Sequence, residues 1–584
     1  MSRGQHQPDL PATVAHRRRQ PAGHAPMLLK PLAQAIALLL LSGTAQAAQP
    51  FSSAWFAAKG AAPAAGGGAA GGQVQVPGAP PPLAQQQRLQ QRFQRSLGNL
   101  DNTVAAIAAQ QAAQAAGRTL AQVQPQTVPN GLGEGGLKVD ENPLTKGWQN
   151  AKAPQQSQVG GKTQVLIEQT ADKAILNWET FNVGRDTTVK FDQQAQWAVL
   201  NRVNDPNARP SQIHGQIEAQ GTVMLVNRNG VVFDGSSQVN VRNLVAAAAQ
   251  VSDEQFRERG LYVDSNGSQA TFTQAGGKVV VQRGAQLQTR APATSTEGGG
   301  YVLLLGSEVN NEGQIITPQG QATLAAGDDF YIRRGRGTQA NAFSTTRGNE
   351  VASSLKPGSS SGSVVNNGLI QAAGGDITLT GHAVRQDGVA LASTAVDRRG
   401  SIHLLNPASD TSGSVSFGKG SVTAVLLDNS QALDSQREAS RQGVDGVSGN
   451  NATGRFDNLS KVIDRPEQSR VEVVSGGTVH FQEGALTLAT GGQVAVSAGL
   501  RSLVDDGARI DVAGALGVKV AMESNVIKIN VQGNEQRDAA GNRDKGGLIN
   551  RDVWVDVREL VHVEKGINGY ASERWYTAGG LLEV

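Results

Sequence analysis

Residues able to carry acid, base, nucleophilic or metal chemistry are sparse in this sequence. Beyond position 47 there are five histidines, His214, His382, His403, His480 and His562, and the whole chain has no cysteine. No histidine has the i, i+4 partner of a helical zinc site, and the missing thiols exclude a disulfide scaffold, a thiolate metal site and a cysteine nucleophile. Ile402-His403-Leu404 and Val479-His480-Phe481 set histidine between apolar neighbours, the pattern of an outward-facing strand position. Asp328-Asp329 and Asp505-Asp506 are the carboxylate pairs to test for general acid and base work. Both adjoin glycine at apparent corners with no matching cluster nearby, so they read as turn residues. Gly131-Leu132-Gly133-Glu134-Gly135-Gly136 fits G-x-G-x-x-G but lacks the strand-to-helix setting that cradles a phosphate. The Gly413 to Gly420 stretch approaches a P-loop, with Gly420 where Ser or Thr is required. Gly358-Ser359-Ser360-Ser361-Gly362 imitates a nucleophile elbow inside a Ser/Gly-rich run. No catalytic residue, metal site or cofactor is expected, and the chain is read as a non-enzyme.

The elements around these residues are short strands. From about Thr163, period-two alternation recurs, as in Ile377-Thr378-Leu379, Val494-Ala495-Val496, Ile527-Lys528-Ile529-Asn530-Val531 and Val553-Trp554-Val555-Asp556-Val557. One kind of turn separates them: Asn311-Glu312-Gly313, Asn367-Gly368, Asp387-Gly388, Asp506-Gly507. The repeat is irregular, roughly 15 to 25 residues, and no helical pattern alternates with the strands, which excludes a doubly wound α/β fold. A chain of 584 residues is too long for one globular core, and 71 Gly with only 24 aromatics suit a narrow solenoid filled by Val, Ile, Leu and Ala better than sandwich domains. The fold class is therefore all-β, a parallel β-helix.

The N-terminal third differs. Arg17-Arg18-Arg19 and Lys30 precede the apolar run Leu32 to Leu41 and the small-residue site ending Ala45-Gln46-Ala47, a secretory leader with cleavage after Ala47. Ten apolar residues span about 15 Å as a helix, half a bilayer core, so the run is not read as a membrane anchor. Met27 offers an alternative start. The leader holds five basic residues and one acid, Asp9. Removing it turns 52 Lys+Arg against 49 Asp+Glu into 47 against 48, and the apparent nucleic-acid signature goes with it. Residues 57–82 are Ala/Gly/Pro-rich. Leu89, Phe93, Leu97, Leu100, Val104 and Ile107 then form a helical stripe, weakened by Gly98, that predicts an amphipathic helix over 83–116 docked on the main body. Residues 123–160 read as linker.

Residues 163–256 carry a specific resemblance. Asn177-Trp178-Glu179-Thr180-Phe181-Asn182-Val183-Gly184, Ala198-Val199-Leu200-Asn201-Arg202-Val203 and Asn227-Arg228-Asn229-Gly230-Val231 resemble, in order and spacing, the secretion domain of two-partner secretion exoproteins. These are the filamentous haemagglutinin and high-molecular-weight adhesin families. The resemblance implies a right-handed parallel β-helix with an N-terminal cap. It also implies export through an outer-membrane β-barrel transporter whose periplasmic domains recognise the secretion domain. It marks Trp178, Phe181, Asn182, Asn201, Arg202, Asn227, Arg228, Asn229 and Gly230 as secretion-motif or partner-recognition residues. The family's N-P-N-G turn here has Arg228 in place of proline, which removes a preset φ without forbidding the turn.

The expected organisation is a leader over 1–47, a low-complexity stretch with the helix over 48–160, a secretion domain over 161–330, and β-helix repeats over 331–584 that continue past the chain end. The expected product is a secreted or cell-surface adhesin-like exoprotein of a Gram-negative bacterium, binding host or neighbouring-cell molecules and no nucleic acid. The stalk of a contact-dependent toxin is the alternative. Haemoprotein capture and a β-helix polysaccharide enzyme follow. A chain without cysteine escapes disulfide trapping in the periplasm, and a solenoid can fold rung by rung as it emerges.

Overall fold

The computed structural model describes residues 49–59, 83–145, 147–264, 267–292, 299–334, 349–359, 361–395, 400–429, 469–515, 526–530, 547–556, 560–563, 574–577 and 581–583. The leader, with Ala45 and Ala47, lies outside them. So do the side chains of Leu89, Phe93 and His562.

Short strands separated by tight corners stack into three long, mostly parallel sheets, the parallel β-helix expected from the strand repeat and composition. Sheet I runs from strand Leu137–Val139 to Gln493–Ala498, sheet II from Ser211–Ile213 to Arg501–Val504, and sheet III from Gln155–Val159 to Arg509–Asp511. One rung comprises Gly230–Phe233 in sheet II, Gln238–Val241 in sheet III and Asn243–Ala247 in sheet I; the next is Lys278–Val281, Gln286–Thr289 and Tyr301–Gly306. The four turns singled out in the sequence all fall at the corner between sheets II and III.

Alternation sends every second side chain into the lumen, and parallel register files equivalent residues above one another. Ile213, Phe233, Val281, Asn311, Asn366, Gln386, Phe417 and Phe481 form one such file. Its polar members pair with each other: Asn311 Nδ2 donates to Asn366 Oδ1 at 2.7 Å, and Asn366 Nδ2 to Gln386 Oε1 at 2.7 Å. Buried amides so matched cost little, whereas one alone would leave an unsatisfied donor. Phe417 and Phe481 stack 4.3 Å apart.

Two expectations are corrected. Residues 123–160 are not a linker. Strand Leu137–Val139 pairs antiparallel with Lys173–Phe181, and Gln155–Val159 with Lys162–Glu168, so this segment caps the first rung. Its glycines Gly131, Gly133 and Gly135 take φ of +78°, +144° and +73° and build the cap's turn. The parallel rungs also do not run through 584. Val526–Asn530 pairs antiparallel with Asp552–Asp556, and Leu560–Val563 with Arg574–Thr577. Alternation specifies a strand and leaves its partner's direction open.

Helix α1 (Ser53–Ala57) and helix α2 (Leu83–Val123) lie on the rod. The second extends seven residues beyond the expected 83–116. Gly117 does not end it, because that glycine packs against the rod: a Cβ there would sit 2.6 Å from the Arg283 carbonyl oxygen. Among the described residues no helix is long and apolar enough to cross a membrane.

Candidate secretion-signal face and polar clusters

The secretion-motif residues divide into those that build the rungs and those that face outward. Trp178 and Phe181 are fully buried under the cap, edge to face at 5.2 Å, with Trp148 packed 4.9 Å from Trp178. The Trp178 indole N–H donates to Asn201 Oδ1 at 3.0 Å, and Asn201 Nδ2 donates to the Met224 carbonyl at 3.2 Å, tying three successive rungs together. Asn182 accepts from Gln212 N at 2.8 Å and donates to the Gly135 carbonyl at 3.1 Å, linking cap and rod.

The Asn227 turn is equally internal. Its Oδ1 accepts from Asn229 N at 3.0 Å, closing the local turn, and its Nδ2 donates to the Arg209 carbonyl and to Ser211 Oγ at 3.1 and 3.0 Å. Gly230 has φ +125°, and an added Cβ would meet the Lys278 carbonyl oxygen at 2.8 Å. Asn227 is 1% exposed, so it sets the turn rather than touching a partner. Arg228 is the exposed member, and Asn229 is half-buried. Where the family pattern has proline, this chain therefore presents a cation; the side-chain bonds of Asn227 hold the turn without the preset φ.

Beside Arg228 lies a cavity of about 350 Å³, lined among others by Arg202, Asn204, Gln250, Ser252 and Thr273. Arg202 is held at its edge by Asp253, 2.6 Å away, and by the Val251 carbonyl. Of the sequence candidates, the structure gathers Arg202, Arg228 and Asn229 on one outward region and places Trp178, Phe181, Asn201, Asn227 and Gly230 inside.

Sequence reasoning missed a polar chain on the outer face of sheet I. Ser401 Oγ lies 2.7 Å from His403 Nε2, and His403 Nδ1 lies 3.0 Å from Glu472 Oε2. The hydrogen bond from His403, with help from Arg470, pulls the Glu472 pKa down to about 2 against its burial. The connectivity is that of a nucleophile, base and orienting acid, but Ser401 donates its proton to Asp376 Oδ1 at 2.5 Å and is 4% exposed. A hydroxyl so committed and covered is a structural link between rungs, not a nucleophile. The i, i+2 spacing of Ser401 and His403 was visible in the sequence; Glu472, 69 positions on, was not.

The other described histidines also meet a carboxylate of the adjoining rung: His382 with Asp410 at 2.6 Å, His480 with Asp505 at 2.8 Å and His214 with Asp234 at 3.5 Å. Asp328 accepts from Lys356 N and Ser359 Oγ at 2.7 and 2.8 Å, turn bonds that hold its pKa below the usual range despite burial. Neither acidic doublet faces a second one. Among the described residues no group of three or more His, Asp or Glu side chains converges as metal ligands.

Comparison with known proteins follows this geometry. Residues 143–424 match the family model of the TPS secretion domain. The chain is 30% identical over 225 residues to a heme/hemopexin-binding protein of Haemophilus influenzae strain Rd, an alignment covering 38% of this chain and 22% of that protein. A second heme/hemopexin-binding protein of Haemophilus influenzae is 42% identical over 83 residues, covering 14% of this chain and 9% of its own length. The chain thus spans about a fifth or less of these curated relatives. The crystal structure of the HMW1 secretion domain from Haemophilus influenzae aligns with a TM-score of 0.38 at 21% identity, over 63% of this chain and 84% of that one. The likeness to a TPS secretion domain thus rests on residues 143–424, 282 of the 584 in the chain.

Proposed function

We infer that this chain belongs to the two-partner secretion exoproteins and is a binding rod, delivered outside the cell by an outer-membrane β-barrel transporter that reads the outward region around Arg228. The observation carrying this reading is the division within the motif: Asn227 is fixed inside by three side-chain bonds, and Arg228 stands exposed beside the cavity. The turn is thereby a rigid mount for a surface cation. Replacing Arg228 by Ala and Asn227 by Ala separates the two roles. With the transporter present, Arg228→Ala lowers the chain recovered in the medium while leaving its unfolding midpoint unchanged. Asn227→Ala lowers both, since it strips a buried turn of its bonds at about 1–3 kcal/mol. Unchanged export of Arg228→Ala contradicts the recognition role.

Outside the cell the rod acts as an adhesin-like ligand of host or neighbouring-cell surfaces rather than as an enzyme. The commitment of Ser401 to Asp376, of Asp328 to Lys356 N and Ser359, and of Asp505 to His480 supports the non-enzymatic part. Capture of a haemoprotein is the second reading, favoured by what the two Haemophilus relatives are named for. Immobilised hemopexin, with and without haem, against whole epithelial cells distinguishes the two: saturable retention on hemopexin alone supports capture, and retention on cells alone supports adhesion.

A further inference from the structure

Helix α2 meets the rod at intervals set by the rungs themselves. Arg118 donates to the Gly284 carbonyl at 3.0 Å, Gln114 to the Glu312 carbonyl at 2.7 Å and Gln110 to the Asn367 carbonyl at 3.0 Å, each at the sheet II to III corner of the next rung. Farther along, Ile107, Val104 and Leu100 pack on the outer face of sheet III, against Leu369, Val389, Leu391, Val422, Leu426 and Leu488 among others. Asn99 then donates to Asp511 at 2.7 Å, in the last parallel strand of that sheet. From Arg118 back to Asn99 the helix rises about 28 Å at roughly 1.5 Å per residue. Six inter-rung steps of roughly 4.8 Å cover about 29 Å. The helix segment and the six rung steps are therefore of equal length, with about five helical turns spanning six steps.

The helix runs against the order of the rungs. Its C-terminal end sits on early coils, where Gly117, Gly235 and Gly284 allow backbone to approach backbone. Its N-terminal half needs rungs that are translated and exported last. A solenoid otherwise has only nearest-neighbour coupling and frays from its ends. In the last parallel strands Leu503, Val504 and Ile510 are 38–57% exposed. A rigid element that bonds to or packs on seven successive rungs adds a coupling that skips neighbours.

We propose that helix α2 is a closing strap. It seats fully only after the rungs through Asp511 have formed, and once seated it makes rungs 278–511 open as one unit instead of peeling from the Asp511 end. A threadable chain thus becomes a locked rod in one closure.

Amide hydrogen exchange on the secreted full chain tests this. The native chain is expected to show one common protection level across strands 278–511. Ile107→Asp is expected to lower protection at least ten-fold in strands 470–511 and to leave strands 163–250 unchanged. Gln114→Ala together with Asn99→Ala, which removes polar contacts without placing a charge in the interface, provides a milder version and the same regional pattern should Ile107→Asp fail to fold. A native protection gradient falling toward Asp511, unaltered late-strand protection in a folded variant, or an equal loss throughout the rod each overturns the proposal.

Discussion

The outer face of sheet III changes character along the rod. In the early rungs it presents Lys190, Glu218, Gln238, Asn240, Gln286 and Gln288; in the late rungs the same file positions hold Val389, Leu391, Val422, Leu486 and Leu488, with Leu426 in the next file. The helix above is matched to each half, with Gln110, Gln114 and Arg118 over the earlier corners and Leu100, Val104 and Ile107 over the apolar strip. A parallel sheet facing water tolerates the first face as it stands, whereas the second is a continuous apolar stripe that has to be covered. Identical backbone geometry therefore supports two surfaces, and the N-terminal segment is composed for both.

Charge placed in the two halves breaks this contrast most sharply. Leu391→Asp buries an unpartnered carboxylate beneath the helix and is expected to cost about 3 kcal/mol or more; Asn240→Asp, exposed on an early rung, should stay within about 0.5 kcal/mol. Urea unfolding of the secreted chain reads both, and similar losses would remove the distinction. Next in size are two glycines of one helix. Gly117→Ala pushes a methyl into the Arg283 backbone and should destabilise by about 1–3 kcal/mol. Gly98, with open space around its Cβ position, should gain about 0.5–1 kcal/mol as alanine. Thermal unfolding midpoints moving in opposite directions would sharpen the account.

The smallest effects are electrostatic. Lys59 lies 4.1 Å over the Trp55 ring and donates to the Leu427 carbonyl and Asn429; burial pushes its pKa down to about 8, partly opposed by Asp428. A base depressed in the folded state is bound less tightly by protons there than when unfolded, so stability rises as pH climbs from about 8 toward the usual 10.5. Lys59→Met should flatten that rise. Glu472 gives the same slope in an acidic window: its pKa is lowered from 4.5 to about 2, so its contribution is complete above 4.5 and fades as pH falls through that window. Glu472→Gln should reduce the acid sensitivity of the late rungs in a pH series of unfolding midpoints.

Much of the rod was legible because its physics is local and repeated. Period-two alternation gave the strands, and Asn-Gly or Asp-Gly pairs marked the same corner in several rungs, at 367–368, 387–388 and 506–507. The cap was hidden because Gln155–Val159 is polar and exposed along nearly its whole length, leaving no apolar alternation to read. The antiparallel strands after Asp511 were misjudged because alternation says nothing about partner direction. Within the motif, the burial of Trp178 and Asn201 shows that a motif can mark the scaffold of a region as much as its surface. The strap's match to rung spacing needed three dimensions, since Gln114 and Glu312 are 198 positions apart.

Fractionation of cells expressing the full chain, with and without the outer-membrane barrel, tests the central claim most directly. The account predicts protease-resistant chain in the medium only when the barrel is present, and protease-sensitive chain in the periplasm when it is absent. Folded, protease-resistant rod accumulating in the periplasm, or equal release without the barrel, would contradict it.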